Sequence, residues 1–124
     1  MVFVLLAGCR TNATRVAGTH VDLLEAMARK GADLVASERL TAENMPELTY
    51  PLERAEAFAR GQAGAPWSGA FAALLARYRE FLDALDRIRR EQRGAAAGAA
   101  LGAPLAAVES AADAARAALR SAAR

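Results

Sequence analysis

The sequence predicts an all-α protein: a small antiparallel helical bundle of three longer helices and one short helix. Three observations predict it. Of the 124 residues, 54% are hydrophobic but only 6% are aromatic, so alanine and leucine carry the apolar content. Alanine is the strongest helix former and contributes little burial, which favours helices packed closely around small side chains. Next, Trp67, Phe71, Leu74, Tyr78, Phe81, Leu85, Ile88 and Gln92 alternate spacings of four and three, a heptad seam. Finally, Leu105, Val108, Ala112, Ala115, Leu119 and Ala122 form a second seam of smaller residues that fits beside the first. A chain of this length builds one domain with one modest core.

The chain starts on the apolar run Val2-Phe3-Val4-Leu5-Leu6 and passes through Ala7-Gly8 to Cys9, the only cysteine. Leu5-Leu6-Ala7-Gly8-Cys9 resembles the lipobox of bacterial lipoproteins. That resemblance implies a signal peptide remnant at residues 1–8, a lipid attached to Cys9, and a lipidated tether over residues 9–18. It also implies a bacterial cell envelope location. Arg10 stands where an aspartate would retain a lipoprotein in the inner membrane, so the resemblance implies the periplasmic side of the outer membrane in a Gram-negative host. A complete signal would add a basic segment and a longer apolar run, roughly 7–15 residues. The alternative is a short buried strand or helix turn, since residues 2–6 have strand-like composition, but a lone strand finds no partner elsewhere in the sequence. One cysteine excludes an internal disulfide and a cysteine-only metal cage. Several acyl chains, at about 0.8 kcal/mol per buried methylene, make a stable anchor where one holds only marginally.

The bundle core is expected over residues 19–93, with helices at about 19–39, 51–61 and 66–93. Thr19-His20-Val21-Asp22 has capping-box spacing with Asp22 in the acidic position, although a helix could also start near Asn12 and run through. Its apolar stripe is Leu24, Met27, Ala28, Gly31, Leu34 and Val35. Gly31 on that stripe costs roughly 1 kcal/mol relative to alanine, and close approach of a neighbouring helix is the expected compensation. Residues 41–50 read as a connection, with Asn44 and Pro46 as breakers. Pro51 then opens the short helix, which buries Leu52, Ala55, Phe58 and Ala59 and ends at Gly61. The third helix carries the bulky seam, has Asp83/Arg87 and Asp86/Arg90 four apart in the favourable acid-before-base order, and stops at Gly94. Residues 94–103 are an Ala/Gly-rich connection, in which Gly94, Gly98 and Gly102 recur every fourth residue. Residues 104–124 form the C-terminal Ala-rich helix of the same bundle, restarted at Pro104.

Most of the chemistry that a bundle can host is not encoded. No segment reaches the roughly 20 apolar residues of a membrane-spanning helix. The net charge of +2 is small and mixed along the chain, so no nucleic-acid partner is expected. His20 is the only histidine; it shares a face with Leu24 and Met27, and a His/Met pair can ligate haem, but no Cys-x-x-Cys-His attachment sequence is present. A partly buried structural histidine is expected there. Paired Glu-x-x-His units for a di-metal site are absent, and Glu53, Glu56, Glu80 and Asp83 lie on polar faces. Neither a metal nor a cofactor is expected. Arg87, Arg89, Arg90 and Arg93 cluster at one helix end, where interleaved Asp83, Asp86 and Glu91 cancel much of their field.

Residues 20–60 are loosely similar to small all-helical chorismate mutases, some of which are exported. That similarity implies a pocket of inward-aimed cations, for which Lys30, Arg39 and Arg54 are the nearest candidates. The helix stripes carry no buried cation, so a dry core is expected instead. The sequence thus leads to a non-enzymatic interaction or scaffold module, anchored through Cys9, with Leu48 and Tyr50 as an exposed surface for a protein partner or a second copy of the chain. A small-ligand or cofactor-binding bundle and a chorismate-mutase-like enzyme are the alternatives.

Overall fold

The computed structural model describes residues 2–91 and 95–123, with side chains at 12–91 and 97–123. All secondary structure among these residues is helical: α1 (Val2–Ala36), α2 (Met45–Arg60), α3 (Ser68–Glu91), α4 (Ala95–Ala100) and α5 (Gly102–Ala122). Four of them, α1, α2, α3 and α5, make an all-α bundle, and α4 is a short turn of helix at one end.

Cross-helix contacts fix the directions. His20 stacks on Phe58 near the end of α2 and meets the edge of Phe71 near the start of α3. Gly31 faces Phe81 and Leu85. Therefore α1 and α3 run parallel, with α2 antiparallel between them. Arg116 reaches Asp22 and Glu25 while Glu109 reaches Arg29, which sets α5 antiparallel to α1. The result is an up-down-up-down bundle.

The bulky seam is the core. Trp67, Phe71, Leu74, Tyr78, Phe81, Leu85 and Ile88 are all buried, while Gln92, Arg93 and Gly94 lie outside the described residues. Leu75 and Leu82 are buried as well, because α3 contacts α1, α2 and α5 and so cannot present a single face. Small residues on α5 (Ala112, Ala115) meet this surface, flanked by Val108 and Leu119; Leu105 is only partly buried and Ala122 is exposed. At Gly31 α1 comes close to α3: a Cβ there would lie 2.9 Å from Leu85 Cδ1 and 3.2 Å from Phe81 Cε1. The expected close approach is real.

Four expectations about elements change. First, α1 starts at Val2, so of the strand and helix-turn alternatives for residues 2–6 it is the helix that forms, and residues 9–18 belong to the helix instead of forming a tether. Thr19 is no cap. Its Oγ1 donates to the Arg15 carbonyl within the helix, and Ala17 is fully buried, so core packing carries the helix through weak formers. Second, α2 begins at Met45. Pro46 occupies its first turn, where a missing N–H costs nothing, and Pro51 lies inside the helix. Third, Leu48, expected at the surface, is 1% exposed and packs inward from α2. Fourth, part of the stretch 94–103 is helix α4, with Ala97 and Leu101 buried, and α5 starts at Gly102 instead of at Pro104.

The C-terminus of α1 closes on a Schellman motif without glycine. The Arg39 N–H donates to Leu34 O at 2.7 Å and the Glu38 N–H to Val35 O at 3.0 Å. Glu38 takes the left-handed conformation, φ 57°, that the motif requires. Asn44 organises the following turn, its Oδ1 accepting from both the N–H and the hydroxyl of Thr41.

Candidate functional site

Three places could carry function: the helix segment bearing Cys9, the surface around Tyr50, and the polar groups inside the bundle. Cys9 sits on the N-terminal part of α1, and its side chain lies outside the described ones. Among the described side chains of α1, Ala13 packs against the core and Ala17 is fully buried in it. At 1.5 Å per residue, the Cys9 backbone stands about 12 Å along the axis from Ala17. Along the helix axis it lies toward the end that holds the α2–α3 turn and the last residues of α5.

Tyr50 and Leu48 part company. Tyr50 is 58% exposed, whereas Leu48 is core. Tyr50 lies on an open groove of about 690 Å³ with Met45, Pro46, Thr49 and Glu53 along it, and the Arg54 guanidinium lies 5.8 Å from its ring centroid. The turn of α2 that exposes Tyr50 is the one that buries Leu48 and Pro51, since positions two apart face different directions on a helix.

Two interior polar groups, on Tyr78 and Glu25, are held by structural partners, whereas Arg89 Nε is buried without a hydrogen-bond partner among the described residues. The Tyr78 hydroxyl donates to the Leu48 carbonyl, tying α3 to α2, and burial pushes its pKa well above the usual phenol value. Glu25 is 7% exposed and accepts from Arg116 at 2.7 Å, with Arg29 at 3.5 Å. Arg116 also reaches Asp22 at 2.9 Å and Asp113 at 3.2 Å, so one guanidinium gathers three carboxylates across α1 and α5. Sequence reasoning missed this network. The signal was present: Asp22, Glu25 and Arg29 at helical spacing complement Glu109, Asp113 and Arg116 when read antiparallel.

His20 is partly buried, as expected, but in an aromatic nest and not at a cap. Its ring is 5.1 Å from Phe58 and 6.3 Å from Phe71, and Phe58 stacks on Trp67 at 6.0 Å. Burial, with a smaller contribution from the nearby Arg54 charge, holds its pKa below the ordinary imidazole value. A cleft of about 310 Å³ lies on the other side of this nest, between Ala59, Gln62, Trp67 and Ala72.

The cations of the enzyme-like alternative do not converge. Lys30 is ion-paired with Glu47 on the outside of the bundle, Arg54 covers the exposed Tyr50 ring, and Arg39 is exposed beyond the end of α1. Arg89 and Arg90 are both engaged by Asp86, at 2.8 and 3.2 Å; the hydrogen bond from Arg89, aided by the Arg90 charge, holds the Asp86 carboxyl below its usual pKa. Glu56 pairs with Arg79 and Glu80 with Arg77. Among the described residues no group of three or more His, Cys, Asp or Glu side chains is placed to hold a metal ion, and no helix is long and apolar enough to cross a membrane. No family model, curated protein or solved structure matches the chain.

Proposed function

We propose that this chain is a lipid-anchored protein of a bacterial envelope whose bundle is a non-enzymatic interaction module. The observation that carries the non-catalytic part is the fate of the polar groups inside the bundle. The Tyr78 hydroxyl is consumed by a backbone carbonyl and Glu25 by Arg116, so each serves helix docking. A reactive site needs polar groups aimed at an accessible space, and here they are aimed at neighbouring helices. The anchoring part is supported by the Leu6-Ala7-Gly8-Cys9 run and by the position of Cys9 in the N-terminal part of α1.

The partner-facing surface is the groove beside Tyr50, with Leu48 reassigned to the core. Aromatic residues that are exposed yet held by a neighbour, as Tyr50 is by Arg54, lose little entropy on docking. The test has two parts in the native host. An alkyne-tagged fatty acid should label the wild-type protein and not Cys9→Ser. A photo-cross-linking residue at position 50 should give a discrete adduct that the same residue at exposed position 83 does not. An unlabelled wild-type protein overturns the anchor, and equal or absent cross-linking at both positions overturns the partner surface.

A further inference from the structure

The ends of the bundle differ in charge. At the end from which α1 leads toward Cys9, there is no Asp or Glu among residues 12–21, 57–76 and 114–123, which supply the local parts of α1, α2, the α2–α3 turn, α3 and α5. Arg15, Arg60 and Arg120 are there instead, all exposed and none ion-paired among the described residues, with Arg15 hydrogen-bonded to Asn12; Arg116, in the same stretch, is committed to Asp22, Glu25 and Asp113. The turn between α2 and α3, residues 61–66, is uncharged and small. Every Asp and Glu of the chain lies elsewhere, on the middle of the helices and at the other end.

Helix-end electrostatics accounts for only part of this. Arg60 and Arg120 do sit in the last turns of α2 and α5, where a cation is favourable. The same rule asks for an acidic residue in the first turn of α3, which starts at this end, and that turn has none. Arg15 is in no terminal turn. What the three arginines share is their position along the bundle axis.

That position is close to the plane in which an acyl group on Cys9 would be held. Arg15 is six residues further along α1, about 9 Å of helix rise, comparable to the Debye length of about 8 Å at physiological ionic strength. We infer that this end of the bundle, free of Asp and Glu side chains, docks on an anionic lipid surface, with Arg15, Arg60 and Arg120 meeting the headgroups. The inference deepens the proposed anchoring by naming the surface the bundle itself contacts. Each basic residue near such a surface strengthens binding about fivefold, so three together contribute on the order of a hundredfold.

The test uses unacylated full-length chain carrying Cys9→Ser, so its outcome is separate from whether acylation occurs. Co-sedimentation is measured with vesicles of phosphatidylcholine alone and with vesicles containing phosphatidylglycerol, at low and high salt, after circular dichroism has verified helicity. The expected result is binding that favours the anionic vesicles, weakens with salt, and falls roughly a hundredfold in Arg15→Gln/Arg60→Gln/Arg120→Gln. Arg87→Gln/Arg90→Gln, at the other end, should bind as the parent does. Equal binding by the triple variant, an equal loss in the Arg87/Arg90 variant, or binding of duplex DNA in place of vesicles overturns the inference. A positive vesicle result with an unlabelled Cys9 in the native host would remove the anchor and leave this surface standing.

Discussion

Replacing Gly31 with alanine sets two effects of known size against each other. In an ordinary helix interior the exchange stabilises by about 1 kcal/mol, because glycine loses the most backbone entropy on folding. At position 31 the added methyl meets Leu85 Cδ1 at 2.9 Å and Phe81 Cε1 at 3.2 Å. Carbon atoms pack best at about 3.5–4.0 Å, so the leucine methyl must retreat by at least about 0.6 Å and the ring by about 0.3 Å. Both side chains are 0% exposed. They belong to the same helix, so relief means moving α1 away from α3, and overpacking of this kind costs about 1–3 kcal/mol. The net expectation is destabilisation of about 1 kcal/mol, roughly a 4 °C drop in Tm for a domain of this size. Gly18→Ala is the internal reference: it lies in the same helix with no heavy atom within 4 Å of the new Cβ and should stabilise by about 0.5–1 kcal/mol. Urea unfolding followed by circular dichroism and Trp67 fluorescence gives both values. If Gly31→Ala stabilises as much as Gly18→Ala, the α1–α3 approach is wrong.

Four further outcomes follow from the packing and the charges. Glu38→Gly should stabilise by about 1 kcal/mol in the same unfolding assay, because φ 57° burdens any residue with a Cβ. The raised pKa of Tyr78 means that the unfolded chain releases the phenolic proton first, so stability is intact below about pH 10 and declines above it; Tyr78→Phe should lose about 1 kcal/mol at neutral pH and show a shallower alkaline decline. For His20 the shift is downward and the sign reverses: its contribution is present above about pH 6.5 and is lost as pH falls toward the folded-state value, a loss that His20→Gln should remove from stability measured between pH 7 and 5. Asp86 weakens the fold only at more acidic pH, near the carboxylate range, so the two windows are separable. A double-mutant cycle of Glu25→Gln and Arg116→Gln should give a coupling of about 1–2 kcal/mol, above the value for exposed pairs, since Glu25 is nearly enclosed.

The all-α class and the core of α3 were legible because heptad spacing of bulky residues has one physical meaning in a short chain. Gly31 was legible for a related reason: a glycine on an apolar stripe is costly unless something needs its space. The starts of α1 and α2 were misread through polar residues and prolines. Thr19 and Asn12 look like helix punctuation, yet burial of Ala17 and Val21 outweighs local preference. Pro46 looks like a breaker, yet a proline in a first helical turn breaks nothing. Leu48 was misplaced as a consequence, since once α2 begins at Met45 its periodicity turns that leucine inward. The Arg116 network was invisible to a reading along single helices because its meaning lies in pairing two charged stripes across α1 and α5.

Acylation at Cys9 is decided by intact-mass spectrometry of the protein purified from its native host. The expected species begins at Cys9, lacks residues 1–8, and is heavier than the remaining sequence by a diacylglyceryl group with or without an amide-linked acyl chain. A species that retains Met1 and carries an unmodified thiol contradicts it.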